Sequence, residues 1–393
     1  MVGRALAVLA VVIVACVPRE AAPPTAPPAA VRTSVPEALP DVEIRPLGTV
    51  HGDWTIVLRS ASGYGGPDQG ELWAVPLRGG EAKRVVAWTS RGIGASDYVR
   101  LGITIVARQL SPDRRRIVLP YQKNGRGTNG IGLALIDLFT GQFATLSTPN
   151  IDWPTRPAWS PDGRRIAFDI FGNTFWSGIA VVNADDTDLR TLCTAEAFND
   201  NGRGAFRGCY GVDGWTPDSK SVRFYEVDGY SLIDADTKAI TRFAVHGSSL
   251  ISSDWRLSTP AIALGAVDGE ERMLLALDRS GTAPRIIDRA TGGLAFVEPR
   301  WSPGGADLLA RRGGALYVYA PGGDRRQIGG VPCDIRAEWH PNGTDVVYVA
   351  PCASASVGEL RVITAANDAL VWSPPPGPQS AFRLVDLAVV HYP

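Results

Sequence analysis

Four histidines, five cysteines and a few paired carboxylates are the residues of this chain that could do chemistry. His51 and His340 fall in turn-like stretches, His246 precedes a strand-like run, and His391 lies near the end. No HExxH, no His-x-His and no tight Cys/His set occurs, so no transition-metal centre is expected. Asp185-Asp186-Thr187-Asp188 has the acid density of a calcium loop but lacks the following glycine and the distal glutamate, so it reads as a turn. Glycoside cleavage needs two facing carboxylates, and Glu226 with Asp228, or Glu270 with Glu271, are the nearest pairs. Both pairs look like strand-edge and turn residues. No Gly-x-Ser-x-Gly elbow is present, and Gly125-Arg126-Gly127 and Gly202-Arg203-Gly204 lack the strand-to-helix setting of a phosphate loop. The expectation is a non-enzyme with no catalytic residue, no metal and no cofactor.

The cysteines point to export. Arg4 and the ten apolar residues 5–14 form a signal too short to span about 30 Å of hydrocarbon as a helix. Ile13-Val14-Ala15-Cys16 then resembles a bacterial lipobox, in which Cys16 becomes lipidated; plain secretion is the alternative. Residues 1–15 read as the lipoprotein signal peptide and 16–41 as lipidated Cys16 with a Pro/Ala-rich linker, too poor in backbone donors to pack. Residues 42–393 form the globule. The expected location is the bacterial cell envelope, with the membrane reached through lipid on Cys16.

An oxidising compartment would pair the other four cysteines. Asn342-Gly343 suits a two-residue type I′ hairpin in which residue n faces residue 685 − n, and Cys333 then faces Cys352. Cys193 and Cys209 remain, closing a loop whose bridge would add about 3 kcal/mol. Four free thiols are the alternative.

What must position any site is a repeat. Turns of Trp/Ser-Pro-Asp type stand at Pro112, Pro161, Pro217, Pro303 and Pro341, spaced 49, 56, 86 and 38 residues apart. An apolar strand follows each, and the 86-residue gap hides a degenerate copy near Ser253 to Leu264. A second set of polar turns, centred near 79, 140, 185, 236, 280, 322 and 367, makes seven copies. Repeats of this length built from short strands predict an all-β fold, a β-propeller of four-stranded antiparallel blades, with seven blades favoured over six or eight. The Trp before each turn supplies bulk between blades. The segment Phe382 to Val390 is left over and could pair with the first blade to seal the ring.

Trp159-Ser160-Pro161-Asp162-Gly163 with Ile166-Ala167-Phe168 resembles the repeat of TolB-like β-propellers, as does Val181 to Leu192. The likeness covers residues 42–393 and implies the fold. In that family the exported propeller binds protein partners. This chain departs from it in its lipid signal, in having no room for an N-terminal α/β domain, and in its blade count.

In a propeller, A–B and C–D turns share one rim, and B–C and D–A connections the other. The long insertions 60–70, 88–101, 122–130, 171–177 and 194–211 all fall in the second class. Long loops on a rigid scaffold are where binding residues concentrate. Aromatics there stand among arginine, lysine and asparagine, the composition of a specific interface. The candidate binding residues are Tyr64, Tyr98, Lys123, Arg126, Phe175, Trp176, Asn201, Arg203 and Arg207. The formal charge of −1 gives no footprint for nucleic acid. The resulting expectation is a monomeric, membrane-anchored scaffold that binds a protein through its looped rim. Glycan or small-molecule binding in the funnel is the second reading, and a polysaccharide hydrolase or lyase the third.

Overall fold

The computed structural model describes residues 42–60, 69–89, 100–101, 106–122, 131–146, 153–171, 176–200, 203–206, 209–226, 229–244, 249–255, 261–268, 270–278, 284–291, 296–312, 315–321, 323–330, 336–350, 358–365, 367–375 and 383–393. They form seven antiparallel blades in a ring. Blade one holds β1 (Val42–Ile44), β2 (Gly52–Ser60), β3 (Gln69–Pro76) and β4 (Lys83–Thr89). Blade two holds β5 (Arg100–Leu101), a helical turn α1 (Val106–Gln109), β6 (Arg116–Gln122), β7 (Ile131–Asp137) and β8 (Phe143–Leu146). Blade three holds β9 (Trp153–Trp159), β10 (Arg165–Phe171), β11 (Trp176–Asn183), β12 (Arg190–Asp200) and β13 (Arg203–Phe206). Blade four holds β14 (Tyr210–Trp215), β15 (Ser221–Glu226), β16 (Gly229–Asp234) and β17 (Ile240–Ala244). Blade five holds β18 (Ser249–Asp254), β19 (Ala261–Asp268), β20 (Glu271–Asp278) and β21 (Arg285–Ala290). Blade six holds β22 (Phe296–Trp301), β23 (Leu308–Arg312), β24 (Ala315–Tyr319) and β25 (Arg325–Gly330). Blade seven holds β26 (Ala337–Trp339), β27 (Val346–Ala350), β28 (Glu359–Ile363) and β29 (Asp368–Trp372), and the last strand is β30 (Arg383–Tyr392).

The expected closure is present. β30 pairs antiparallel with β2 along its whole length, from Gly52 opposite Tyr392 to Ser60 opposite Arg383. The C-terminal strand thus becomes the innermost strand of the first blade, while β1 pairs with the opposite edge, on β4. The first strands of neighbouring blades pack against one another around the axis, as β9 does on β14 and β18 on β22. The hidden copy in the long gap is also real: β18 and β19 occupy it.

The proline turns repeat the same hydrogen bonds. In Ser160-Pro161-Asp162-Gly163, Gly163 N donates to Ser160 O and Ser160 N to Arg165 O. Ser160 Oγ donates to Asp162 Oδ1 and accepts from Arg165 N, and Asp162 Oδ1 accepts from Arg164 N. Pro presets the second position, and the side chains satisfy donors that the tight turn leaves free. The fourth position always has positive φ, at Arg114, Gly163, Ser219, Gly305 and Gly343 (60°, 72°, 62°, 74° and 76°). The two-residue I′ hairpin expected at Asn342-Gly343 is therefore a correction. His340 N donates to Asp345 O and Gly343 N to His340 O, so the loop is wider and only Gly343 takes the left-handed conformation. Pro341 fixes its own φ and starts a type I turn instead. The register survives the change, since Ala337 faces Tyr348 and Trp339 faces Val346, each pair obeying 685 − n. Cys333 and Cys352 lie outside the described residues.

Each apolar cluster belongs to a blade interface, which is why an isolated blade could not fold. Trp159 joins Val118, Leu133 and Phe168 between blades two and three, and Trp215 joins Ala167, Val181 and Phe224 between three and four. Blade two departs from expectation. A strand should lead into Ser111-Pro112, but apart from the short β5 the chain there coils into α1, which meets β6 through the bridge from Leu110 to Ile117 and through Gln109 Nε2 donating to Val118 O. The cause is that α1 finds polar partners at the axis, described next.

A candidate binding rim and a charged axis

Two of the sequence-predicted binding residues can be placed. Trp176 opens β11 opposite Glu196, and Arg203 opens β13 opposite Asp200. Both stand at the long-loop end of blade three. Tyr64, Tyr98, Lys123, Arg126, Phe175, Asn201, Arg207 and Cys16 lie outside the described residues. The stretch 194–211, expected as an irregular loop, is largely a β-ribbon: β12 continues past the blade edge and turns back as β13. Cys193 and Cys209 are joined in a disulfide at its base, with Cα atoms 6.1 Å apart. Of the carboxylate pairs, Glu226 faces Gly229 at the tip of its hairpin, and Glu271 is tied to Arg289 at 2.7 Å. The Asp185 turn is closed by Asn183 N donating to Thr187 O, with Asp186 and Asp188 at positive φ.

The sequence reading missed a set of buried charges on the innermost strands. Asp213 on β14 is fully buried and accepts from Tyr225 Oη at 2.6 Å, from Tyr230 Oη at 3.4 Å and from Ser253 Oγ. It is ion-paired with Arg108 of α1 and lies 3.7 Å from Arg223 Nη1. Arg300 Nε donates to Glu338 Oε1 at 2.6 Å. Asp254 Oδ2 accepts from Trp301 N at 2.7 Å. Asp386 of β30 accepts from Val106 N, the first residue of α1, at 2.6 Å. Blades one and four lie on opposite sides of the ring, so α1 bridges the axis. Its backbone is held by Asp386 and its arginine by Asp213.

Burial opposes the charges on Arg223 and Arg300, but the groups around each outweigh it and raise both. Around Arg223 these are Tyr230, Asp213 and Asp254; around Arg300 they are Glu338 and Asp254. Burial pushes the Asp386 carboxyl up, against Arg336 and the Val106 amide. One signal could have revealed the set. The residue just before the repeat tryptophan changes sign from blade to blade, as Asp254, Arg300 and Glu338.

A second feature lies where blades three and four meet. Asp169 is fully buried, and its Oδ1 accepts from Val212 N at 2.8 Å. Among the described residues its Oδ2 has no hydrogen-bond partner, and it sits 3.8 Å from Arg156 Nη1. Burial raises the carboxyl to about 6, against the Val212 amide and the Arg156 charge. Arg156, on the innermost strand, is half exposed and adopts φ of 49°. A strained non-glycine residue beside a perturbed buried acid is a pattern found at working sites.

On the plain rim, Asp53 bolts the ring seam. It accepts from His391 Nδ1 at 2.7 Å, with His340 Nε2 and Arg78 Nη2 each 3.4 Å away. Burial raises its carboxyl, but the His391 hydrogen bond and the charges of His340, His391 and Arg78 leave it below the ordinary aspartate value. A depressed carboxylate stabilises the fold above its unfolded value, and the contribution is lost as pH falls through the folded one. Asp53→Asn is therefore expected to lower stability by about 1–2 kcal/mol at pH 6. The gap to wild type should close as the pH is taken below 4. Thermal melts of both proteins across that range check it, and an Asn variant whose deficit does not shrink as the pH falls would refute the assignment.

No protein-family model matches the chain, and no curated protein matches it. Solved structures do. TolB from Acinetobacter baumannii is 19% identical with a TM-score of 0.45, over 70% of this chain, which spans 63% of that protein. An oligogalacturonate lyase in complex with manganese is 14% identical with a TM-score of 0.53, over 76% of this chain and 85% of that one. Prolyl oligopeptidase B from Galerina marginata is 9% identical with a TM-score of 0.51, over 82% of this chain and 51% of that one. At these identities the likeness concerns architecture alone: the chain is a seven-bladed β-propeller whose structural neighbours include TolB as well as enzymes.

Proposed function

We propose that this chain is a non-catalytic scaffold, held at the cell envelope by lipid on Cys16, that binds a protein partner through its long-loop rim. The observation that carries the reading is the contrast between axis and rim. Among the described residues, the axial charges of blades four to seven face one another, and α1 crosses between their partners. Blade three meanwhile extends a disulfide-stapled ribbon at the long-loop end. A rigid ribbon loses little conformational freedom on binding, which favours a protein interface.

The test is capture of partners from intact membranes by chemical cross-linking, with wild type and the Trp176→Ala, Arg203→Ala and Arg207→Ala variants. Loss of one cross-linked partner by about tenfold or more in these variants is the expected result. Unchanged capture by all three would show that the partner does not bind at the rim. The second reading, a small ligand in the funnel, is favoured by one observation, the Arg156–Asp169 pair. It predicts that Asp169→Asn abolishes retention of a soluble ligand and leaves cross-linking intact.

A further inference from the structure

At two blade interfaces an arginine covers the repeat tryptophan of the next blade. Arg116 of β6 lies 4.8 Å over the Trp159 ring, and Arg165 of β10 lies 5.0 Å over the Trp215 ring. Arg165 also donates to Ser219 O at 2.6 Å and to Asp236 Oδ1 at 3.1 Å, so its guanidinium is held by a ring face, a turn carbonyl and an acid. The equivalent residue in blade six is Asp307. The backbone establishes this equivalence, since Ser302 N donates to Asp307 O as Ser160 N does to Arg165 O. Asp307 N donates to Ser302 Oγ as Arg165 N does to Ser160 Oγ.

The tryptophan opposite keeps its pose. Trp339 Nε1 donates to Arg300 O at 2.8 Å, and Trp215 Nε1 donates to Ala158 O at 3.0 Å. Each acceptor precedes the tryptophan of the preceding blade. Where the arginine would lie there is instead a cavity of about 260 Å³, lined by Asp307, Trp339 and Gly343, with Val318 and Ile328 as apolar walls. Gly343 matches Ser219, whose carbonyl receives the guanidinium in blade four. The C–D turn of blade seven, Thr364 to Asn367, holds no acid, and Asp307 supplies one from the other wall.

We propose that this cleft between blades six and seven is a binding site for an alkylguanidinium, presented by an arginine side chain or a small molecule. The cation stacks on Trp339, its flat edge faces the Gly343 carbonyl, and Asp307 neutralises it. A guanidinium fits better than an ammonium because it is planar, weakly hydrated and able to stack. Arg326 also lines the cleft, and its like charge weakens the affinity.

The experiment is calorimetric titration of the full chain with ethylguanidinium, and with ethylurea as the uncharged control of similar shape. Binding of the first and not the second is expected. Asp307→Asn should weaken it by about tenfold. Asp307→Arg should abolish it while raising the melting temperature, because it restores in the chain the stack seen in blades two and three. Arg326→Ala should tighten binding about threefold by removing the like charge. Free arginine and a blocked Gly-Gly-Arg-Gly-Gly peptide separate the two sources, tighter binding of either naming the ligand. Equal binding of the urea, unchanged affinity in Asp307→Arg, or no binding by a wild-type chain that melts cooperatively would each overturn the site. So would an Arg326→Ala variant that melts lower without binding better, since Arg326 would then be the cation covering Trp339.

Discussion

Replacing Asp213 by alanine is expected to destabilise the propeller by about 3–5 kcal/mol, the cost of leaving buried charges without their counter-ion. The carboxylate takes three hydroxyl donors and faces two arginines, one from α1 and one from β15. Removing it takes from Arg223 its ion-pair partner on β14, leaving Ser253 Oγ at 3.3 Å, the residue-213 carbonyl at 3.3 Å and the charge of Asp254. It also releases Arg108, and with it the link that carries α1 over the axis. Since whole domains are stable by only about 5–15 kcal/mol, a loss of this size is a large fraction of the total. Urea denaturation of the two proteins measures it, and a deficit below about 1 kcal/mol would show that the network is dispensable. Arg108→Met combined with Asp213→Ala should recover part of the loss, because no arginine charge is then left without its counter-ion at that contact.

Truncation before Arg383 is expected to abolish cooperative unfolding altogether. β30 supplies Leu384, Leu387, Ala388, Val390 and Tyr392 to two clusters, with Leu387 packing against Val57 and Val349 across the seam. At about 1.5–3 kcal/mol for each large apolar side chain, the loss equals or exceeds the stability of an ordinary domain. The truncation also strips Asp386 from α1 and His391 from Asp53. Calorimetry of the truncated chain should show no transition. Adding the peptide 383–393 should restore one, since antiparallel pairing with β2 needs no covalent link. A truncated chain that still melts sharply would mean that the ring does not depend on its last strand.

The ring, the blade count and the closing strand were legible because each is written locally and repeated. The bonds that close the turn Ser160-Pro161-Asp162-Gly163 run within it and to the two residues that follow, with one further bond from Asp162 N to Ser219 Oγ of the next blade. Its copies therefore look alike wherever the chain places them. Inter-blade tryptophans were legible for the same reason, whereas the Cys193–Cys209 bridge was reached as the remaining pair, its ends 16 residues apart. The I′ hairpin at Asn342 was misjudged because Pro341 outweighs the Asn-Gly signal, while the pairing register, set by the alternation of buried side chains, stayed as read.

The charged axis was not legible in the same way. Asp386 meets Val106 across 280 positions, and Ser253 meets Asp213 across 40. Sequence places Ala158 and Gly214 before two of the repeat tryptophans, but a charged residue before three others, as Asp254, Arg300 and Glu338. Only closure of the ring decides which of them face one another. The same holds for α1, whose partners Asp386 and Asp213 come from distant blades, and for the cleft at Asp307, where an acid stands in the place of Arg116 and Arg165. Its emptiness follows from what a neighbouring blade brings to it, and that is a property of the folded ring, where distant segments lose water together.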